Sequence, residues 1–486
     1  MNYGFVIDNR RCIGCHACTV ACKAEHDTPI GVNRTWVKYV EKGEFPDTRR
    51  MFTVLRCNHC AEAPCVEICP VRSLFVRDDG IVDFDRERCI GCKACMQACP
   101  YDALHIDPDT RTSSKCNYCA HRIDRGLEPA CVIVCPVHAI ISGDLDDPHS
   151  EIGRLLSRTP VSMRKPEKAT RPKLFYIEAD AAALRPELAP AHAGYPQAEQ
   201  ATGVGHFAGR KTDGAGTGIL PYSSEILARA EQEAAARRTY DIPQRGVLWG
   251  WEVSGYLWSK SIAAGVLFLP LLLHLGGLMT LPPRLQVSLA VTSLLFLALT
   301  GALLVKDLDR PGRFLYVLLR PQWRSWLVRG AYIIMACGTL TTLWLGLVLA
   351  GVNAGPWLAA TLVVVGGLTA VYTAFLLGQA KGRDLWQSPL LPVRMLVVSA
   401  MTGGATLVLM GLFGNPGISH AAVVALEGAI AVNLLLVAAE FFTPKTGRGA
   451  AVIRAPSCRH FERVSLPAPP APTAGQGTPT PERCLR

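Results

Sequence analysis

Charge is scarce in this chain. Only 19% of its 486 residues are Asp, Glu, Lys or Arg, against 49% hydrophobic residues, and the mean hydropathy is +0.21. A chain so poor in charge is neither a disordered polypeptide nor an ordinary soluble enzyme. The first half also lacks an excess of either sign: residues 1–260 hold 33 basic and 33 acidic side chains. The formal +10 comes from residues 261–442, with ten basic and five acidic, and 443–486, with seven and two. Those excesses flank apolar runs, as membrane topology arranges them, so a lipid bilayer and no nucleic acid is expected as partner. The N-terminal MNYGFVIDNRRC has no apolar core of signal-peptide length, and no cleavable targeting segment is read there.

Cysteine is nearly absent from most of the sequence. Sixteen of the 19 lie between Cys12 and Cys135, and Cys337, Cys458 and Cys484 are the rest. The sixteen form four motifs. They are Cys12-x2-Cys15-x2-Cys18-x3-Cys22, Cys57-x2-Cys60-x4-Cys65-x3-Cys69-Pro70, Cys89-x2-Cys92-x2-Cys95-x3-Cys99-Pro100 and Cys116-x2-Cys119-x11-Cys131-x3-Cys135-Pro136. Tight CxxC groups suit ligands wrapped around one centre better than a disulfide framework. The third motif is the bacterial ferredoxin run, in which three thiolates bind one cubane and the fourth crosses to a neighbour. Sixteen thiolates at four per cubane predict four [4Fe–4S] clusters. Zinc would not require the third and fourth cysteines at these offsets four times over. Cys12-Ile-Gly-Cys15-His16 also reads as a c-type haem signal, but a haem would take two of the sixteen ligands, so no haem is expected. Gly80–Phe84 and Ala103–Asp107 alternate like strands on either side of motif three.

These motifs resemble the four-cluster iron–sulfur subunits of complex iron–sulfur molybdoenzymes, the dimethyl-sulfoxide and polysulfide reductase group, over residues 1–190. The resemblance implies an α+β bacterial-ferredoxin-like domain in which motif one shares clusters with four, and two with three. One cluster would take Cys12, Cys15, Cys18 and Cys135, and a second Cys22, Cys116, Cys119 and Cys131. A third would take Cys57, Cys60, Cys65 and Cys99, and a fourth Cys69, Cys89, Cys92 and Cys95. Spacing alone equally permits pairing one with two and three with four.

Residues 191–248 read as a linker: Ala/Gly/Pro-rich to residue 221, then a polar helix over Ser223–Tyr240. Lys165–Tyr176, basic and broken by proline, reads as an extended strap over a partner or the cluster domain. From residue 249 to 443 come about six apolar runs centred on 270, 295, 338, 367, 403 and 431, each long enough to span a bilayer. They predict an all-α transmembrane bundle, with Trp258, Trp323, Trp326 and Trp357 as interface anchors. Lys306, Arg310, Arg313, Arg320, Arg324, Arg329, Lys381, Arg383 and Arg394 fall on the side of the cysteine domain, and only Arg284 on the other. The positive-inside rule then predicts an inner-membrane protein with its clusters in the cytoplasm, although arginines used for docking would weaken that inference and leave the periplasmic side as the alternative. The Pro-rich tail 444–486 reads as disordered, with Cys458 and Cys484 unpartnered, and Cys337 as packing.

The sequence Asp307–Tyr332, DLDRPGRFLYVLLRPQWRSWLVRGAY, resembles the NrfD/polysulfide-reductase membrane anchors, with Asp309 where glycine is usual. The resemblance implies a quinone pocket, and His274 and Asp307 match its histidine and aspartate. Arg310 would neutralise Asp307 or cap the helix, and Glu427 in the sixth run is a second ionisable candidate. No pterin, flavin or substrate motif is evident. The function expected is an electron-transfer and quinone-reactive anchor subunit. It would link the quinone pool to a separate molybdopterin-type catalytic subunit, with no substrate-converting site of its own beyond quinone/quinol redox. A hydrogenase partner, or an anchor without a quinone site, are the alternatives.

Overall fold

The computed structural model describes residues 1–43, 48–185, 188–189, 236–241, 248–353, 355–412 and 419–442. Strands carry the first part: β1 (Tyr3–Asp8), β2 (Thr35–Lys42), β3 (Arg49–Arg56), β4 (Leu74–Val76), β5 (Val82–Phe84), β6 (Leu104–Ile106), β7 (Ser113–Lys115), β8 (Ile140–Asp144), β9 (Val161–Ser162), β10 (Leu174–Ile177) and β11 (Arg237–Tyr240). The nearly continuous apolar run of β1 fits a strand covered on both faces, and it lies inside a sheet ordered β8-β1-β10-β9. The short hairpins β4-β5 and β6-β7 flank motif three, as its alternating neighbours predict.

The stretch Lys165–Tyr176 makes a single 3-10 turn at Pro166–Lys168 and then enters the cluster domain's own sheet as β10, parallel to β1. It is a strap over that domain. The helix expected over Ser223–Tyr240 is corrected at its end, because Arg237–Tyr240 is a strand pairing antiparallel with β2. The exposed edge of β2 supplies backbone partners that helix propensity cannot anticipate, and the Tyr240 ring packs 5.1 Å from Tyr39 and 4.9 Å from His16. Residues 223–235, the Ala/Gly/Pro-rich segment and the tail with Cys458 and Cys484 lie outside the described residues.

Six helices long and apolar enough to cross a membrane follow: span 1 (Trp251–Leu275), span 2 (Pro283–Lys306), span 3 (Trp326–Leu349), span 4 (Pro356–Gln379), span 5 (Leu391–Leu412) and span 6 (Ser419–Phe442). Five sit where the apolar runs predict. Span 1 does not: its centre is near residue 263 rather than 270. Its first half buries Ser259 and Lys260 with hydrogen bonds to spans 2 and 4 and Ser261 with a bond to Leu257 O of its own helix, so composition alone places the span too late. Span 1 is the bundle's core helix, packed on spans 2, 4 and 5. A Cβ on Gly265 would run into Ser399 O and Gly403, so these two helices meet backbone to backbone. Cys337 is fully buried in the same core.

The cluster domain sits directly on one end of the bundle. Asp309 N and Arg310 N donate to Gly91 O and Ile90 O at 3.4 and 3.2 Å, Gln322 N to Pro70 O at 3.0 Å, and Ser325 Oγ to Ile68 O at 2.7 Å. Arg310 donates twice to Thr110 O, at 2.9 and 2.6 Å, and Arg313 to Arg86 O and Cys89 O at 2.9 and 3.1 Å. Asp309 pairs with Lys93 at 3.1 Å. The residue that departs from the anchor pattern therefore supplies an ion pair between the two domains.

Candidate functional site

The cysteines are held by loops that share one conformation. In motifs one and three, Gly14 and Gly91 have φ of +70° and +72°, followed two residues on by His16 and Lys93 at φ 60° and 59°. This left-handed turning lets Cys12 and Cys15, and Cys89 and Cys92, face one centre. At Gly91 the freedom is needed twice, because a Cβ there would stand 2.6 Å from Asp309 and 3.2 Å from Arg111 O. None of the described cysteines is in a disulfide. Side-chain nitrogens approach two of them, Arg56 Nη1 at Cys131 Sγ and His26 Nε2 at Cys119 Sγ.

Proximity sorts the sulfurs into four sets. A void is lined by Cys12, Cys15, Cys18 and Cys135. Cys22 lies in the field of Cys116, Cys131 and Cys119; Cys65 in that of Cys99, Cys57 and Cys60; Cys92 in that of Cys95, Cys69 and Cys89. Motif one thus meets motif four, and motif two meets motif three. Among the described residues no three His, Cys, Asp or Glu side chains close on a single-ion site. Burial raises the thiols, Cys18 and Cys99 to about 11 and Cys60 and Cys119 to about 12, so it would take a bound metal centre, displacing their protons to solvent, to hold these sulfurs as thiolates. Donors stand around them without partners: Arg56 Nε and Nη2, Arg34 Nε, Asn58 Nδ2 and His59 Nε2 are buried and make no hydrogen bond. Such atoms fit the sulfides and thiolates of iron–sulfur clusters.

The fourth set opens toward the membrane. Cys92 and Ile90 form one wall of a cavity of about 240 Å³, whose other walls come from spans 1, 2, 3 and 4 and the turn after span 2. Its lining is apolar apart from Asp307, Tyr256 and Tyr372. Trp249, also in the lining, donates from Nε1 to Cys92 O at 3.1 Å and stacks on Trp386 at 5.6 Å. Burial pushes the Asp307 carboxyl up to about 6, against the opposing pull of Lys93.

Three other predicted residues are elsewhere. His274 is not at mid-span but in the last turn of span 1, exposed, with Nδ1 3.0 Å from Met279 O. Span 2, about 36 Å long at the usual rise, separates that end from Asp307, so the expected His274–Asp307 pair is corrected. The mid-span placement followed from setting span 1 seven residues too far along. Arg310 is likewise engaged with Thr110 O rather than Asp307. Glu427 lies on the exposed face of span 6. Sequence reading missed Lys260, fully buried, whose Nζ donates to Ala370 O at 3.0 Å and Thr373 Oγ1 at 2.6 Å, 4.8 Å from the Tyr372 ring. Its signal in the sequence is a lone lysine among residues that pack as helix core.

Buried cysteine loops on a ferredoxin-type scaffold, seated on a bundle of apolar helices, define an iron–sulfur electron-transfer subunit with its own membrane anchor. Known proteins agree with that class. Residues 11–74 and 48–145 match the 4Fe-4S dicluster domain, and residues 243–443 match the polysulphide reductase NrfD family. The sequence is 46% identical to a tetrathionate reductase subunit of Salmonella typhimurium over 188 residues, 38% of this chain and 75% of that protein. It is 42% identical to a polysulfide reductase component of Wolinella succinogenes over 180 residues, 36% of this chain and 93% of that one. The arsenate respiratory reductase iron–sulfur subunit of a Shewanella strain is 33% identical over 36% of this chain and 96% of its own length. The protein belongs to this family of [4Fe–4S] iron–sulfur subunits, here continuous with an NrfD membrane region.

Proposed function

We propose that this chain carries electrons between the membrane quinone pool and a separate molybdopterin-type catalytic subunit. The observation that carries the reading is the cavity: apolar, at the edge of the bundle, with a cluster cysteine in one wall and a carboxylic acid in another. A quinone ring seated there is held by the apolar side chains, and Asp307 exchanges its proton. Tyr256 and Tyr372 offer hydroxyls to its carbonyl oxygens. The four sulfur sets are assigned as four [4Fe–4S] sites with the ligands grouped above, and each cluster, when bound, relays one electron at a time. At the other end, Cys15 is exposed, and Ile13, which lines the same void, is 55% exposed. An exposed sulfur in that set suits electron exchange with a docked catalytic subunit.

Gly301 lines the cavity, and a Cβ there meets nothing within 4 Å, so Gly301→Leu fills the cavity without disturbing the helix. Quinol-linked turnover should collapse in this variant while its clusters keep their spectra. Unchanged turnover would refute the quinone site and leave the bundle as an anchor only. Metal analysis of the co-purified complex tests the partner: molybdenum or tungsten is expected, and nickel would point to a hydrogenase.

The cluster domain is placed on the cytoplasmic side. Arg310, Arg313 and Arg383 are occupied in docking, but Arg320, Arg324, Arg329, Lys381 and Arg394 remain on that side against Arg284 on the other. A cysteine at Val352, exposed in the turn after span 3, should react with a membrane-impermeant reagent in intact cells. Protection of that cysteine would reverse the placement.

A further inference from the structure

Arg56 ends β3 one residue before Cys57, and its side chain is completely buried. Nη1 donates to Cys131 Sγ at 3.1 Å, and the guanidinium lies 4.6 Å from the Phe5 ring centroid. Its closest charges are the sulfurs of Cys131, Cys116 and Cys18, and no carboxylate among the described residues pairs with it. Arg34 is a second buried guanidinium beside the same set, facing Cys22, Cys116 and Cys119. The cavity-side set differs: Cys69 accepts from the backbone N–H groups of Leu74, Val71 and Ser73, and the guanidinium nearest that set, Arg313, bonds the Cys89 carbonyl rather than a sulfur. The third set faces one lysine, Lys115. A buried cation without a counter-ion is costly to fold around, and among the described residues only the thiolates, with the cluster they would hold, are positioned to offset it.

Reduction adds one negative charge to a cluster, and a neighbouring fixed cation favours that form. We infer that Arg56, assisted by Arg34, gives the cluster held by Cys22, Cys116, Cys119 and Cys131 the highest reduction potential of the four, so that an electron crossing the domain rests there. This rests on the ligand grouping proposed above. One electron enters this cluster from a neighbouring cluster on one side and one leaves to the neighbour on the other; no bond is made or broken. Arg56 is a positioning residue for charge and touches no substrate.

The test is a redox titration of the intact complex in membranes, followed by electron paramagnetic resonance, with iron measured on the same samples. In the parent protein, one couple should stand at least tenfold above the others in reduction equilibrium, about 59 mV for one electron. Cys119→Ser, altering one ligand of that set, marks which signal belongs to it. Arg56→Gln should lower the reduced-to-oxidised ratio of that signal about tenfold at fixed ambient potential, an effect of about 59 mV, shift the couple of the set containing Cys18 less, and leave the other two in place. Arg56→Lys, which keeps the charge, should move it less. Full iron loading with all four couples unmoved in Arg56→Gln overturns the inference. If that variant fails to load iron, the parent protein decides: four couples without one standing apart, or the wrong couple on top, overturns it equally. Iron well below about sixteen atoms per chain in the parent overturns the four-cluster grouping instead.

Discussion

The cluster domain and the helix bundle bury their interiors by opposite means. In the first, cysteine sulfurs and donor atoms without partners, such as Arg56 Nε and Asn58 Nδ2, occupy the places where a small domain would otherwise pack aliphatic side chains. In the second, Leu, Ala, Val and Gly pack close enough that Gly265 and Gly403 touch through their backbones, and polar side chains such as Ser293 and Thr341 donate to carbonyls of the bundle. One interior is completed by a metal centre and the other by shape. The two should therefore fail under different insults.

Iron chelation is the strongest way to expose that difference. Removal of iron should unfold residues 1–177 while spans 1–6 keep their helices, seen as new protease sensitivity confined to the cysteine domain. Equal resistance of both parts would mean that packing alone holds the cluster domain. Next in size is Asp307→Asn, expected to lower quinol-linked turnover about a hundredfold with cluster signals intact. Its pH dependence has a definite sign. To accept a proton from quinol the carboxyl must be ionised, and burial raises it to about 6, so turnover should fall as the pH drops through about 6. The variant should show no such fall.

Gly265→Val attacks the other interior. Overpacking against Ser399 O and Gly403 should cost about 3 kcal/mol, read as a lower melting temperature of the bundle with iron content unchanged. Arg310→Ala acts between the two regions. Losing both bonds to Thr110 O should loosen docking by about 1.5 kcal/mol and slow the reduction of the clusters by quinol without altering either interior. The smallest effect belongs to His274→Ala. At the far, exposed end of span 1 it should leave turnover within about twofold. A large loss there would restore the histidine to the quinone chemistry and break the assignment of the cavity.

Much of this was legible along the sequence because the signals are local. The cysteine offsets mark the metal loops since a few residues must wrap one centre, and the strands beside motif three follow from strict alternation. Spans 2 to 6 follow from apolar length. Span 1 was misplaced because hydropathy counts Ser259, Lys260 and Ser261 as solvent-seeking, whereas neighbouring helices satisfy the first two inside the bundle and the helix's own Leu257 carbonyl satisfies the third. The error then carried His274 to mid-membrane. The strand at Arg237–Tyr240 was read as helix because its partner, the edge of β2, lies almost two hundred residues earlier.

By itself the amino-acid sequence determined the chemistry of each half: thiolates at cluster spacing, apolar runs of bilayer length, and a basic loop between spans 2 and 3. Each of those is a property of neighbours in the chain. Only the tertiary structure decided which cysteines meet and that Arg310 and Arg313 serve docking. It also set Asp307 across a cavity from Cys92 and buried Arg56 against Cys131. Those relations join residues from about 20 to over 200 positions apart, and a meeting of that kind is fixed by packing, hydrogen bonding and burial rather than by any pattern of neighbouring residues.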